Sequence, residues 1–82
     1  MINEFDQATL IQARKRLVER DCELQASDFT SVVSLVHQDG STFLFARAVF
    51  ERVESWLLVW TEHTGYFKFH MDDLKHYRSW ES

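Results

Sequence analysis

The hydrophobic pattern changes period once along this chain, near residue 28. From Asn3 to about Gln25, Leu10, Ile11, Ala13, Leu17 and Val18 recur at helical spacing and form one apolar stripe. Asn3 or Asp6 is placed to cap the helix, and Glu4 and Asp6 suit the positive end of its dipole. Arg14, Lys15, Arg16 and Arg20 alternate with Glu19, Asp21 and Glu23 in the second half. This reads as a solvated face laced with ion pairs, Lys15–Glu19 among them, ahead of a phosphate-binding patch. Cys22 falls one turn after Val18 and is expected as a small core residue at the helix end.

Beyond Ala26-Ser27-Asp28 the texture is β. Val32, Val33, Leu35 and Val36 lead to Asp39-Gly40 and then Thr42-Phe43-Leu44-Phe45. Asp-Gly between apolar runs predicts a two-residue type I′ hairpin. Gln38 then pairs with Ser41, Leu35 with Leu44 and Val33 with Ala46. That register leaves large apolar groups on both faces, so the hairpin must be curled, covered by the helix, or part of an interface. Glu51–Glu54 reads as a charged turn into a third strand.

Trp56–Glu62 and Tyr66–Met71 form the densest hairpin. A two-residue Thr64-Gly65 turn would force positive φ on a β-branched residue. A three-residue loop with left-handed Gly65 avoids this. It sorts Leu57, Val59, Phe67, Phe69 and Met71 to one face and Trp56, Leu58, Trp60, Glu62, Tyr66, Lys68 and His70 to the other. The second set, rich in Trp and Tyr, is the candidate binding surface. Its readings are a second half of the core under the helix, a homodimer interface, and a ligand pocket or single-strand stacking platform. Met71–Leu74 makes a tight turn with Asp72 as N-cap. Residues 75–80 either extend it as a short helix, the preferred reading, or return as a fifth strand.

The expected fold is therefore α+β, one domain over residues 1–82. An N-terminal helix packs on a strongly bent antiparallel four-stranded meander, with a short C-terminal turn or helix. The alternative is a five-stranded barrel. From Val32 to Trp80 the rhythm resembles the SH3-like and Sm-like barrels, with the Asp72-Asp73-Leu74 turn where they place a 3₁₀ turn before strand five. Glu51 and Ser55 stand where the Sm motif has Asp and Asn. The glycine of its second strand and its second motif are missing, so no uridine-binding role carries over. Trp56–Leu74 also resembles short bacterial proteins of the integron gene-cassette kind, a likeness that implies no activity.

Composition narrows the functional classes. The chain has 82 residues, 45% hydrophobic and 15% aromatic, and eleven of its twelve aromatics follow Asp28. A chain this short buries only about 60–65% of its unfolded surface, so association with a second copy is a natural source of further burial. One cysteine excludes an intrachain disulfide and a thiolate zinc cluster. The longest apolar run, Trp56–Trp60, is too short to span a bilayer, and the absence of a secretory pattern gives a cytoplasmic expectation. A net charge of −4 argues against duplex binding.

Catalytic chemistry finds little support. His37, His63, His70 and His76 are the available imidazoles. His70-x-Asp72-Asp73-x-x-His76 matches no recurring metal spacing, and a capped turn explains it better. Glu62 and His63 are neighbours on a strand and point to opposite faces. Two glycines cannot form a phosphate loop. The expectation is a non-enzymatic binding or adaptor module without cofactor or metal, self-associating as a homodimer through the Trp56/Trp60/Tyr66 face. One alternative is a pocket for a small apolar or cationic ligand, walled by Trp56, Trp60 and Tyr66 with Glu62 as counter-charge. The other is single-stranded nucleic acid stacked there with Lys68, Arg47 and Arg52, which the acidic balance disfavours.

Overall fold

A computed structural model describes residues 4–81, with side chains described from residue 7. Helix α1 (Glu4–Asp21) leads through a 3₁₀ turn at Ala26–Asp28 into five strands. These are β1 (Ser31–His37), β2 (Thr42–Val53), β3 (Trp56–Thr61), β4 (Tyr66–His70) and β5 (Leu74–Glu81), with a second 3₁₀ turn at Met71–Asp73. They form one antiparallel sheet in the order β4-β3-β2-β1-β5. The chain is α+β as expected, in its five-stranded form.

The fifth strand corrects the preferred helical reading of residues 75–80. Local alternation is ambiguous there, and the decision is tertiary: β5 runs the length of β1, from Ser31↔Glu81 to His37↔Leu74, satisfying an edge that would otherwise be open. Helix α1 also ends at Asp21, four residues short of the predicted Gln25. The chain turns at Arg20, whose carbonyl accepts from the amides of Glu23 and Leu24. Cys22 is consequently exposed, not buried. The capping assignments to Asn3 and Asp6 lie outside the described side chains. No helix among the described residues is long and apolar enough to cross a membrane.

The first hairpin departs from prediction by one residue, with large consequences. Asp39 lacks the positive φ a type I′ turn requires, whereas Gly40 has φ +92°. The His37 amide donates to the Ser41 carbonyl and the Gly40 amide to the His37 carbonyl, giving a three-residue loop. Asp39 Oδ1 accepts from the Ser41 amide at 2.8 Å, a side-chain bond that stabilises this loop over the shorter one. Leu35 now faces Phe43 and Val33 faces Phe45. A one-residue shift exchanges faces, so the apolar groups expected on both sides gather mainly on one. Leu44 is left pointing outward, 67% exposed.

Between Ser31↔Ala48 and Val33↔Phe45, Ala46 and Arg47 of β2 stand opposite Val32 alone. This bulge bends the twelve-residue strand. Its first half pairs with β1 and its second with β3, Ala48 serving both. The bend carries Phe43 and Phe45 against Phe69 and Phe67 of β4, with ring centroids 5.6 and 5.2 Å apart. The concave side thus encloses one core: Val33, Leu35, Ala48, Leu57, Val59 and Leu74. The convex side of β3 holds the other, where Trp56, Leu58 and Trp60 pack with Phe29 against Ala13 and Leu17 of α1. Ile11 and Val18, predicted on the same helical stripe, point to solvent.

Glu51, Arg52 and Val53 are strand residues, so the predicted Glu51–Glu54 turn shrinks to Glu54-Ser55. Glu54 has φ +51°, the only non-glycine described residue with positive φ. Left-handed backbone costs a side-chain-bearing residue about 1–2 kcal/mol, partly offset for glycine by its greater unfolded freedom. Glu54→Gly is expected to raise unfolding stability by about 0.5–1 kcal/mol in urea melts.

Candidate interaction surface

The second hairpin has the predicted segregation of faces, but its loop is Glu62-His63-Thr64 in place of the expected His63-Thr64-Gly65, a two-residue shift of register that leaves the faces unchanged. Trp60 pairs with Tyr66, Leu58 with Lys68 and Trp56 with His70. The loop closes with the Thr61 amide on the Gly65 carbonyl, and Gly65 takes φ +86°. Thr61 Oγ1 accepts from the Thr64 amide at 3.0 Å, holding the loop from within.

The structure divides the seven candidate residues. Trp56, Leu58 and Trp60 are buried beneath the chain's own helix, and Trp60 is 0% exposed. They are not free to meet a second molecule; a domain with one helix has one convex surface to cover, and this is the one. Trp60 Nε1 donates to the Leu17 carbonyl at 3.0 Å. Glu62 is ion-paired with Arg47 and lies 3.2 Å from His63 Nε2, so it offers no counter-charge to a ligand beside the tryptophans. Lys68 Nζ sits 5.6 Å from the Trp56 ring centroid, and His70 meets that ring edge-on at 4.9 Å. His70 Nδ1 also accepts from the Asp72 amide at 3.1 Å, so His70, not Asp72, caps the turn. Tyr66 alone of the three walls remains open.

Helix cations expected to be solvated instead reach the sheet. Arg16 binds Glu51 of β2 through Nε at 2.6 Å and Nη2 at 3.0 Å, and Arg20 Nη1 adds a third bond at 2.7 Å. Hydrogen bonding from Arg16, opposed by partial burial and reinforced by the charges of Arg16 and Arg20, lowers the Glu51 pKa. Sequence gave no register for this clamp, since 35 residues separate Arg16 from Glu51. A carboxylate with a depressed folded pKa stabilises above its unfolded value, and the benefit is lost as pH falls through the folded value. Glu51→Gln is therefore expected to lower stability at pH 7 by about 1–2 kcal/mol and to flatten the acid side of the stability profile. Urea melts across pH 3–7 (about the range over which carboxylates titrate) check this.

Two sheet edges stay open among the described residues. On β4, the bonds Thr61–Gly65 and Met71–Ser55 fix the antiparallel phase. Phe67 and Phe69 then bond to β3, while the backbone groups of Tyr66, Lys68 and His70 face outward. On the other side, the His37–Ser41 bond sets the phase of β1. Val32, Ser34 and Val36 turn toward β5 and bond Trp80, Arg78 and His76. The outward-facing backbone of β5 belongs to Tyr77, Ser79 and Glu81. Beside it Trp80 is 46% exposed, with the Arg78 guanidinium 5.9 Å from its ring centroid.

No three acidic, histidine or cysteine side chains among the described residues converge on a common point to hold a metal. Comparison with protein-family models, curated proteins and solved structures yields no match.

Proposed function

We propose that this protein is a non-enzymatic binding module that acts as a homodimer, joined through the β5 edge. The observation carrying this reading is an eight-residue edge strand whose outward backbone groups, at Tyr77, Ser79 and Glu81, have no strand partner among the described residues, with the exposed aromatic Trp80 beside them. Edges of this length normally carry a device that blocks pairing, such as proline, a bulge along the strand or charged side chains; β5 has no proline, and its charges are Lys75, Arg78 and Glu81. The β5 bulge at Lys75 is at its very start, and residues 76–81 are regular.

A two-fold axis at Ser79 gives the most favourable partners. Tyr77 then stands opposite the second copy's Glu81, and Arg78 opposite its Trp80, exchanging an intramolecular cation–π contact for an intermolecular one. Moving the axis to Arg78 would oppose two guanidinium groups, which is unfavourable. The interface reading of the Trp56/Trp60/Tyr66 face passes to β5 because the helix has taken the former. Hydrogen exchange tests it: the amides of Tyr77, Ser79 and Glu81 are expected to become protected as concentration rises, while those of Tyr66 and Lys68 stay fast. Fast exchange at Tyr77 and Ser79 at every concentration refutes the β5 dimer.

A further inference from the structure

A concave surface of about 460 Å³ lies between α1 and β4, at the sheet edge opposite β5. Leu17, Val18, Tyr66, Phe67 and Phe69 make its walls, and Arg14 and Lys68 bring the charge. Tyr66 and Lys68 belong to the helix side of β4 and Phe67 and Phe69 to the concave side, so the cleft wraps over the strand edge. Its volume falls in the range of small-molecule sites.

The charge of this cleft is the informative feature. The chain carries net charge −4, yet no carboxylate lines the cleft. Of the cations outside it, Lys15 is matched with Glu19, Arg16 and Arg20 with Glu51, and Arg47 with Glu62, while Arg52 bonds the Glu54 carbonyl and Arg78 rests over Trp80. Arg14 and Lys68 form no ion pair among the described residues. Lys68 lines the cleft and rests over the Trp56 ring. The outward amides of Tyr66 and Lys68 add two unpaired donors along the same edge.

We propose that the α1–β4 cleft binds an amphipathic monocarboxylate, its chain against Val18, Tyr66 and Phe67 and its carboxylate held by Arg14 and Lys68. Its charge is opposite to that of the alternative pocket read from the sequence, in which Glu62 faces a cationic ligand. It does not rest on the β5 dimer, which uses the opposite edge.

Decanoate is the probe, with decanol and decyltrimethylammonium as controls of matched chain length, followed by calorimetry and tryptophan emission on the full chain. One decanoate per chain is expected, with Kd on the order of 0.1 mM for a ligand of this size. Decanol should bind about tenfold more weakly or less, and the cation should give no saturable signal. Arg14→Gln and Lys68→Gln, both at positions outside the two cores, should each weaken decanoate about tenfold while leaving decanol unchanged. Ser79→Pro, made to block the dimer, should bind decanoate as the parent does, which separates this site from the association. Equal affinity for decanoate and decanol, unchanged binding in both glutamine variants, or no saturation by about 1 mM overturns the assignment.

Discussion

Trp60→Ala is expected to leave most of the chain unfolded at 37 °C. Trp60 is the largest fully buried side chain, and it joins the sheet to the helix both by packing on Ala13 and Leu17 and by its bond to the Leu17 carbonyl. Arg20 lies over the same ring at 5.4 Å, so the Glu51 clamp is also disturbed. Removing a buried tryptophan costs about 3–5 kcal/mol. At about 0.05–0.15 kcal/mol per residue, that is a large share of what an 82-residue domain has. Trp60→Phe should lose about 1–2 kcal/mol, keeping most apolar contact but not the hydrogen bond. Trp56→Phe should be milder still, because Trp56 Nε1 is buried without a protein partner. Urea unfolding followed by far-UV circular dichroism ranks the three variants, and equal losses in both phenylalanine variants would contradict the role given to the Leu17 bond.

Ser79→Pro is expected to abolish association while leaving the monomer folded. The Ser79 amide faces away from β1, so proline there removes no bond of the native sheet. Edge strands tolerate proline on that side. Its ring would stand where the second copy's Ser79 carbonyl must approach. Arg78→Pro makes the opposite change: the Arg78 amide bonds Ser34 in β1, so the same substitution one residue earlier should cost about 3 kcal/mol of stability or more. This pair of adjacent prolines separates loss of dimer from loss of fold.

Much of the architecture was legible in the residues. The helix-to-strand change near residue 28 and the faces of the Trp56–His70 hairpin followed from period and from the strain that a turn at Thr64 would carry. What failed did so for identifiable reasons. Asp39-Gly40 signals a hairpin but does not choose its length, and the Asp39 side chain's bond to the Ser41 amide selected the longer loop. That one residue reversed the faces of β1 and β2. The fate of residues 75–80 was decided by the open side of β1, which no local window contains. The candidate surface was half readable: the aromatic face was found, and the helix stood among its possible covers, but no local signal chose the helix over a second copy or a ligand. Ile11 and Val18 share a helical stripe with Leu17 in the sequence, and only the packing angle of α1 shows that Ala13 and Leu17 face Trp60 while the other two do not. The Arg16–Glu51 clamp and the Arg14–Lys68 cleft depend on that same angle.

Sedimentation equilibrium of the parent and Ser79→Pro proteins at micromolar concentration tests the central claim most directly. The homodimer through β5 predicts twice the 9.8 kDa chain mass for the parent and a single chain mass for the variant, with unchanged far-UV circular dichroism. A parent that sediments at one chain mass, or a variant that remains dimeric, would contradict it.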